Sequence, residues 1–509
     1  MPQPLTYPGV YVEEVPSGVR TIAGVATSIG LFIGWATRGR VNEGERIFSF
    51  ADFEREYGGL DRRSYLGYAV RNFFDNGGTD AYVIRIAKTS VPEGDTTSVI
   101  AATATTKLDD LAIEASSPGD WAHAYSVRLR KRATPDQKRF KLDVLLGKPA
   151  DNVVVETYEN LSKDAGDPRF VEAIVNARSS IITVKVPASP ADPTDSEATL
   201  GDSAGTPGNP GDVLDPNAEP AKTIVPALFD TGGGADKVDL FNLVCVPGLT
   251  DGATIGKLQA GCKKKRAFLI VDCPEDSTIE TAVTDAGACI GSDPSYAGFY
   301  FPWMRAADPL QDGGIRDFPP CGYVAGVMAR TDGTRGVWKA PAGVDSVLNG
   351  VLEFKVPMSD AQNGALNPKA VNCLRTLPVY GNVVWGSRTL DGDNDRGSEW
   401  KYVPVRRMAL FLEESLFRGT QWVVFEPNDE PLWAQIRLNI GAFLQQLFRQ
   451  GAFQGMTPRE AYFVKCDRTT TTQADINLGV VNILVGFAPL KPAEFVVLRI
   501  QQIAGDIAV

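Results

Sequence analysis

Histidine is almost missing from this chain: His123, in the run DWAHAYSV, is the only one among 509 residues. That scarcity removes most routes to a hydrolytic or metal-assisted site. A Ser-His-Asp or Cys-His mechanism would have to use His123, and no GxSxG nucleophile elbow accompanies it. Flanked by aromatics, His123 reads as a partly exposed structural side chain. Cysteine is sparse as well. Cys245, Cys262, Cys273, Cys289, Cys321, Cys373 and Cys466 are scattered, with no CxxC pair. An odd number at such spacing argues against a disulfide framework and against a zinc site. Reduced core thiols of a protein folded in a cytosol remain. No apolar run approaches the length that spans a bilayer, and no basic, then apolar leader opens the chain, so neither stable membrane insertion nor Sec export is expected. Positive charge is also in deficit, with 51 Lys and Arg against 62 Asp and Glu and a net charge of −11. Direct nucleic-acid binding lacks its electrostatic footprint. The tract GATIGK lacks P-loop spacing and carries Leu258 where a hydroxyl would bind Mg²⁺. No catalytic residue, metal or cofactor is expected.

What is present is first a short strand pattern at the N-terminus, in MPQPLTYPGVYVEEVPSGVR. Val10 and Val12 alternate with Tyr11 and Glu13, and Pro8 and Pro16 bracket the run up to Val15. No hairpin signal comes after it, so this strand has no local partner and reads as a donor for another sheet's edge. The C-terminus repeats the device: after Pro489 and Pro492, residues Phe495 to Ile500, including Val497 and Arg499, form a second tethered strand pattern.

Between these arms, residues 21–88 read as strand, two helices (the first capped by Ser49) and the strand AYVIRIA, a compact α/β unit. Residues 89–235 read as a β-rich module containing a mobile, solvent-facing stretch at 189–222, which is dense in Pro, Gly, Asp and Ser. LFNLVCVPG and AFLIVDCP, joined by a helical GATIGKLQAGCKKK, point to buried parallel strands in an α/β domain over 236–360. Residues 361–488 return to α/β, with QWVVFEPN as a strand and a further strand at 478–487. In the helix at 430–449, Trp433, Ile436, Ile440, Phe443, Leu444 and Leu447 form an apolar stripe. Its other face carries Leu432, Leu438, Arg437 and Arg449, a docking surface for an acidic partner.

Four stretches resemble the contractile tail sheath family of phages and phage-like injection systems. They are YPGVYVEEVPSGVRTIAGVATSIGLFIGWATRGR, FFDNGGTDAYVIRIA, YFPWM with PPCGYVAGVMARTDGTRGVWKAPAG, and the region from RTLDGD to FRQGAF. The resemblance implies a multidomain α/β fold: an inner C-terminal core with exchange arms at 1–20 and 489–509, and a subtilisin-like-fold middle domain without catalytic residues. Residues 90–235 match no motif and fit a variable, β-rich outer insertion. It further implies a helical homo-oligomer around an inner tube protein, with baseplate and terminal cap proteins as partners. Such a subunit is assembled in the bacterial cytoplasm, and contraction drives the tube into a target cell. The helix 430–449, through Arg437 and Arg449, is the candidate tube-facing element.

Competing readings remain. A subtilisin-like hydrolase would need a histidine that 236–350 does not contain. A static shell or non-contractile tail component could use the same arms. A carbohydrate or receptor binder could reside in 89–188, although no aromatic cluster marks it.

Overall fold

The computed structural model describes residues 21–90, 98–132, 138–147 and 152–499. The expected N-terminal strand through Val10, Tyr11, Val12 and Val15 lies outside them, as does Ile500. The described residues group into two units: 26–407 with 491–499, and 21–25 with 408–490.

The larger unit is organised by an eight-stranded sheet. Its order is Gly381–Val384, Val371–Leu377, Ala297–Phe301, Phe268–Asp272, Leu243–Cys245, Gly30–Gly34, Ala81–Arg85 and Gly44–Ile47. All neighbouring pairs are parallel except those made by the two edge strands, Gly381–Val384 and Gly44–Ile47. The runs FLIVD and AGFYF are buried throughout, as parallel strands covered on both faces must be. Helix Phe50–Tyr57 begins as expected, with Ser49 Oγ accepting from Asp52 N at 3.2 Å, and ends at Gly58 in the left-handed region. Helix Leu66–Asp75 packs closely on helix Cys321–Arg335, since a Cβ at Gly322 would sit 2.4 Å from Ala69 O.

This sheet regroups the expected parts. Gly30–Gly34 pairs with Leu243–Cys245, Leu31 lying opposite Val244. Val371–Leu377 pairs with Ala297–Phe301. Residues 26–88 and 371–384 therefore share a sheet with the middle region, and the division expected at 361 falls inside it. The physical reason is the strand GLFIG, which needs a hydrogen-bonded neighbour on both edges once it is buried.

The insertion is β-rich as expected, a three-stranded and a four-stranded antiparallel sheet with the helix Val171–Arg178. Leu111, Ile113, Val127, Leu129, Leu142, Val144 and Leu161 fill a core of their own. The stretch 189–222 is not a free loop. Ser196–Thr199 adds a strand beside Tyr125–Lys131. Farther on, the backbone pairs Thr105 N with Thr206 O at 2.9 Å, Ala102 N with Asn209 O at 2.9 Å and Asp212 N with Val99 O at 2.9 Å. Gly208 N donates to His123 Nε2 at 3.0 Å, which gives His123 its structural role. Main-chain hydrogen bonds hold what composition alone would leave solvated.

Arg85 anchors this strap to the sheet. The side chain is fully buried, and its guanidinium donates to Gly39 O and Pro118 O at 2.7 Å and to Pro210 O at 3.0 Å. Both limbs of the insertion thus meet at one residue of the central sheet.

In the smaller unit, helix Glu430–Arg449 buries Trp433, Ile436, Ile440, Phe443, Leu444 and Leu447, as its pattern predicts. Phe411 of helix Val403–Gly419 packs on Phe443 with ring centroids 6.1 Å apart. Residues 21–25 line this pair: Ile22 is buried, and Val25 N donates to Ser415 Oγ at 3.2 Å.

Two expected strands are corrected here. QWVVFEPN is a short helical turn at Gln421–Val423 and then a reversal, with Phe425 at φ 70. Between one helix and the N-cap Asp429 of the next, the run has room only for turns, and Val424 N bonds Gln421 O. The strand at 478–487 shrinks to Leu484–Phe487. Helix Gln473–Asn477 is closed by Gly479, whose N–H meets Ile476 O, and by Val480 N on Asp475 O.

Candidate assembly surfaces

All seven cysteines are buried and free. Burial pushes the Asp272 carboxyl up to about 7, against two backbone donors, Gly248 N at 2.9 Å and Cys321 N at 2.7 Å. Both of its oxygens thus brace loops of the sheet. Among the described residues no acid, cysteine and histidine cluster has metal-binding geometry, and no helix is long and apolar enough to cross a membrane.

The candidate docking helix is only partly free. Leu432 is buried, and Arg437 turns back on its own unit, donating to Glu430 Oε1 at 2.7 Å and to the Cys466 carbonyl. Arg449 and Leu438 remain exposed. The two arginines stand ~18 Å apart along the helix axis, so they do not form one cationic patch.

Beside this helix, Tyr462–Lys465 and Leu484–Phe487 form a two-stranded antiparallel ladder. Phe453 supports it, with its ring 6.1 Å from both Tyr462 and Phe487. A ladder this short is marginal alone and gains from a further strand. Phe463 and Leu484 on it are about half exposed. The reversal at 424–425 leaves Val424 and Phe425 exposed to solvent, two apolar residues that a strand over QWVVFEPN would have placed in a sheet.

The C-terminal segment 491–499 forms no strand in the single chain. Phe495, Val496, Val497 and Leu498 are 75%, 78%, 77% and 83% exposed, a contiguous apolar run that ends at exposed Arg499. Just before it stands Glu494, held by residues that sequence reasoning missed. The fully buried Arg388 donates from Nε and Nη2 to the two Glu494 oxygens, each at 2.7 Å. Tyr402 OH adds a bond at 3.1 Å. The remaining Arg388 donor, Nη1, reaches Asn394 Oδ1 at 2.9 Å and Gly392 O at 3.2 Å. The one sequence signal was an acid standing alone between Pro492 and the apolar run.

Comparison with known proteins bears on what these surfaces serve. Residues 235–390 match the model of the phage tail sheath protein central domain, and 395–503 that of the phage tail sheath C-terminal domain. Together the two matches cover more than half of the chain. A putative prophage major tail sheath protein of Pseudomonas aeruginosa is 26% identical over 50% of this chain and 62% of its own length. The tail sheath protein of Vibrio phage KVP40 is 24% identical over 37% of this chain and 27% of its length. The chain thus spans less than two thirds of either relative. Among solved structures, the anti-feeding prophage helical sheath in its contracted state matches with a TM-score of 0.60 and 25% identity, covering 98% of this chain and 99% of that one. By its two domain matches and these relatives, the chain belongs to the contractile tail sheath family.

Proposed function

We propose that this protein is the structural subunit of a sheath that polymerises helically around an inner tube and contracts to drive the tube through a cell envelope. The observation that carries this reading is the run Phe495–Leu498. Four consecutive apolar side chains left in water are costly unless another chain covers them. The two-stranded ladder at 462–465 and 484–487 is an acceptor of the right kind, since an added strand satisfies open backbone groups and buries alternate side chains. The strand pattern read in the sequence at Val10 to Val15 supplies the second donor of this proposal. Two donors per subunit link each copy to two neighbours, and such links persist while globular surfaces repack. Exposed Arg449 and Leu438 are the candidate tube contacts, and the free ends of the lattice are where baseplate and cap proteins dock. No nucleotide is invoked; the energy resides in a metastable extended lattice.

Electron microscopy of particles before and after triggering tests the proposal. Two lattice lengths are expected, and deletion of residues 1–18 should leave folded chains without tubes. One unchanging length would favour a static sheath instead.

A further inference from the structure

We infer that Arg388 fixes the C-terminal segment at Glu494 and thereby sets the register in which the next residues are lent as a strand to a neighbour. The inference rests on the arm-exchange reading above and adds where the arm begins. Sequence places its root at the Pro489 and Pro492 break. The hydrogen bonding places it at Glu494, beyond both prolines.

Arg388 is 0% exposed, and both of its carboxylate-facing nitrogens engage Glu494 in the parallel, two-point geometry that favours arginine. Tyr402 holds one of the same oxygens, while Asn394 and Gly392 occupy the remaining guanidinium nitrogen. If Glu494 left, a buried cation would lose the carboxylate that balances it, so the pair stays closed wherever the unit is folded. The arm that moves then starts at Phe495.

A fixed root has a geometric consequence. Side chains alternate along a strand, so counting from Glu494 puts Phe495 and Val497 on one face and Val496 and Leu498 on the other. One extra residue after the root would exchange those faces and present the wrong set to the acceptor. An extra residue before the root would be absorbed, because the clamp resets the count.

The test compares two single-alanine insertions in the full-length chain, one between Glu494 and Phe495, the other between Lys491 and Pro492. Tube formation is read by electron microscopy, and amide exchange is monitored in the unassembled chain at Gly392 and Asn394, whose N–H groups bond Thr389 O and Pro368 O beside the clamp. The first insertion should abolish long tubes while Gly392 and Asn394 stay protected; the second should assemble like the parent. Equal loss of assembly in both would overturn the clamp while leaving arm exchange standing. Normal assembly in both would overturn the arm-exchange reading itself. Glu494→Gln supplies an independent check without lengthening the chain. It should speed exchange at Gly392 and Asn394 by about tenfold or more. Tyr402→Phe should do so less, and unchanged exchange in Glu494→Gln would also overturn the clamp.

Discussion

The strap at 201–212 and the segment at 495–498 invert what their compositions announce. The strap has almost no large apolar side chains, yet it is pinned along its length by main-chain bonds to 99–105 and by Arg85. The segment is Phe-Val-Val-Leu, and it lies in solvent. Both obey one rule: a stretch is ordered by the partners it finds, and hydrophobicity is only one way to find them. The strap meets open backbone groups and a buried guanidinium on its own chain. At Gly208 the approach is so close that a Cβ would lie 2.1 Å from Gly119 O. Among the described residues the segment is held at its root, by the Arg388 clamp. Among the described residues nothing covers this run, and contiguous exposed apolar surface marks an interaction site.

The strongest way to break this contrast is at Arg85. Replacing it with Met would leave the carbonyls of Gly39, Pro118 and Pro210 without their donor. Removing a buried charge recovers some desolvation cost, but unpaired acceptors outweigh it, for a net loss of about 2–4 kcal/mol. Chemical denaturation should show the loss, and amides 205–212 should exchange faster. An unchanged midpoint would mean that the strap holds itself.

The same rule decides how much was legible in the sequence. Strands such as FLIVD and AYVIR, the capped helix at Phe50 and the stripe of helix Glu430–Arg449 were legible, because local pattern and tertiary burial agree there. The order of the strap was not, since backbone partners far along the chain leave no periodic trace. QWVVFEPN failed for the opposite reason: its apolar residues look like a strand, but two helices leave it too little chain to extend. At the candidate surfaces, the run at 495–498 was read from sequence as a strand donor, and the structure leaves it exposed. Its anchor was not legible, because nothing in sequence pairs Arg388 with Glu494 across 106 residues.

A smaller effect should appear at the root of the segment. Burial alone would raise the Glu494 carboxyl, but hydrogen bonds and charge from Arg388, helped by Tyr402, hold it below its ordinary 4.5. A carboxylate depressed in the folded state contributes stability above its ordinary value and loses it as pH falls through the folded one. Amide protection at Gly392 and Asn394, beside the clamp, should therefore be level above the ordinary 4.5 and fall away as pH drops below it. The strap, held by neutral carbonyls and an arginine, should keep its protection over the same range. Release of both together would dissolve the distinction.

The smallest expected change in stability is the most discriminating. Phe495→Ser with Val497→Ser removes two large apolar side chains that are already three-quarters exposed. In the single chain they bury little, so stability should change by less than about 0.5 kcal/mol. Removing comparable side chains from a packed core would cost about 2–5 kcal/mol each. If the run is covered by a neighbour, the missing cost must reappear in self-association, as a sharp rise in the concentration needed to form tubes. A drop in monomer stability would instead place these residues in their own chain's core, and unchanged assembly would leave the exposed run without a use.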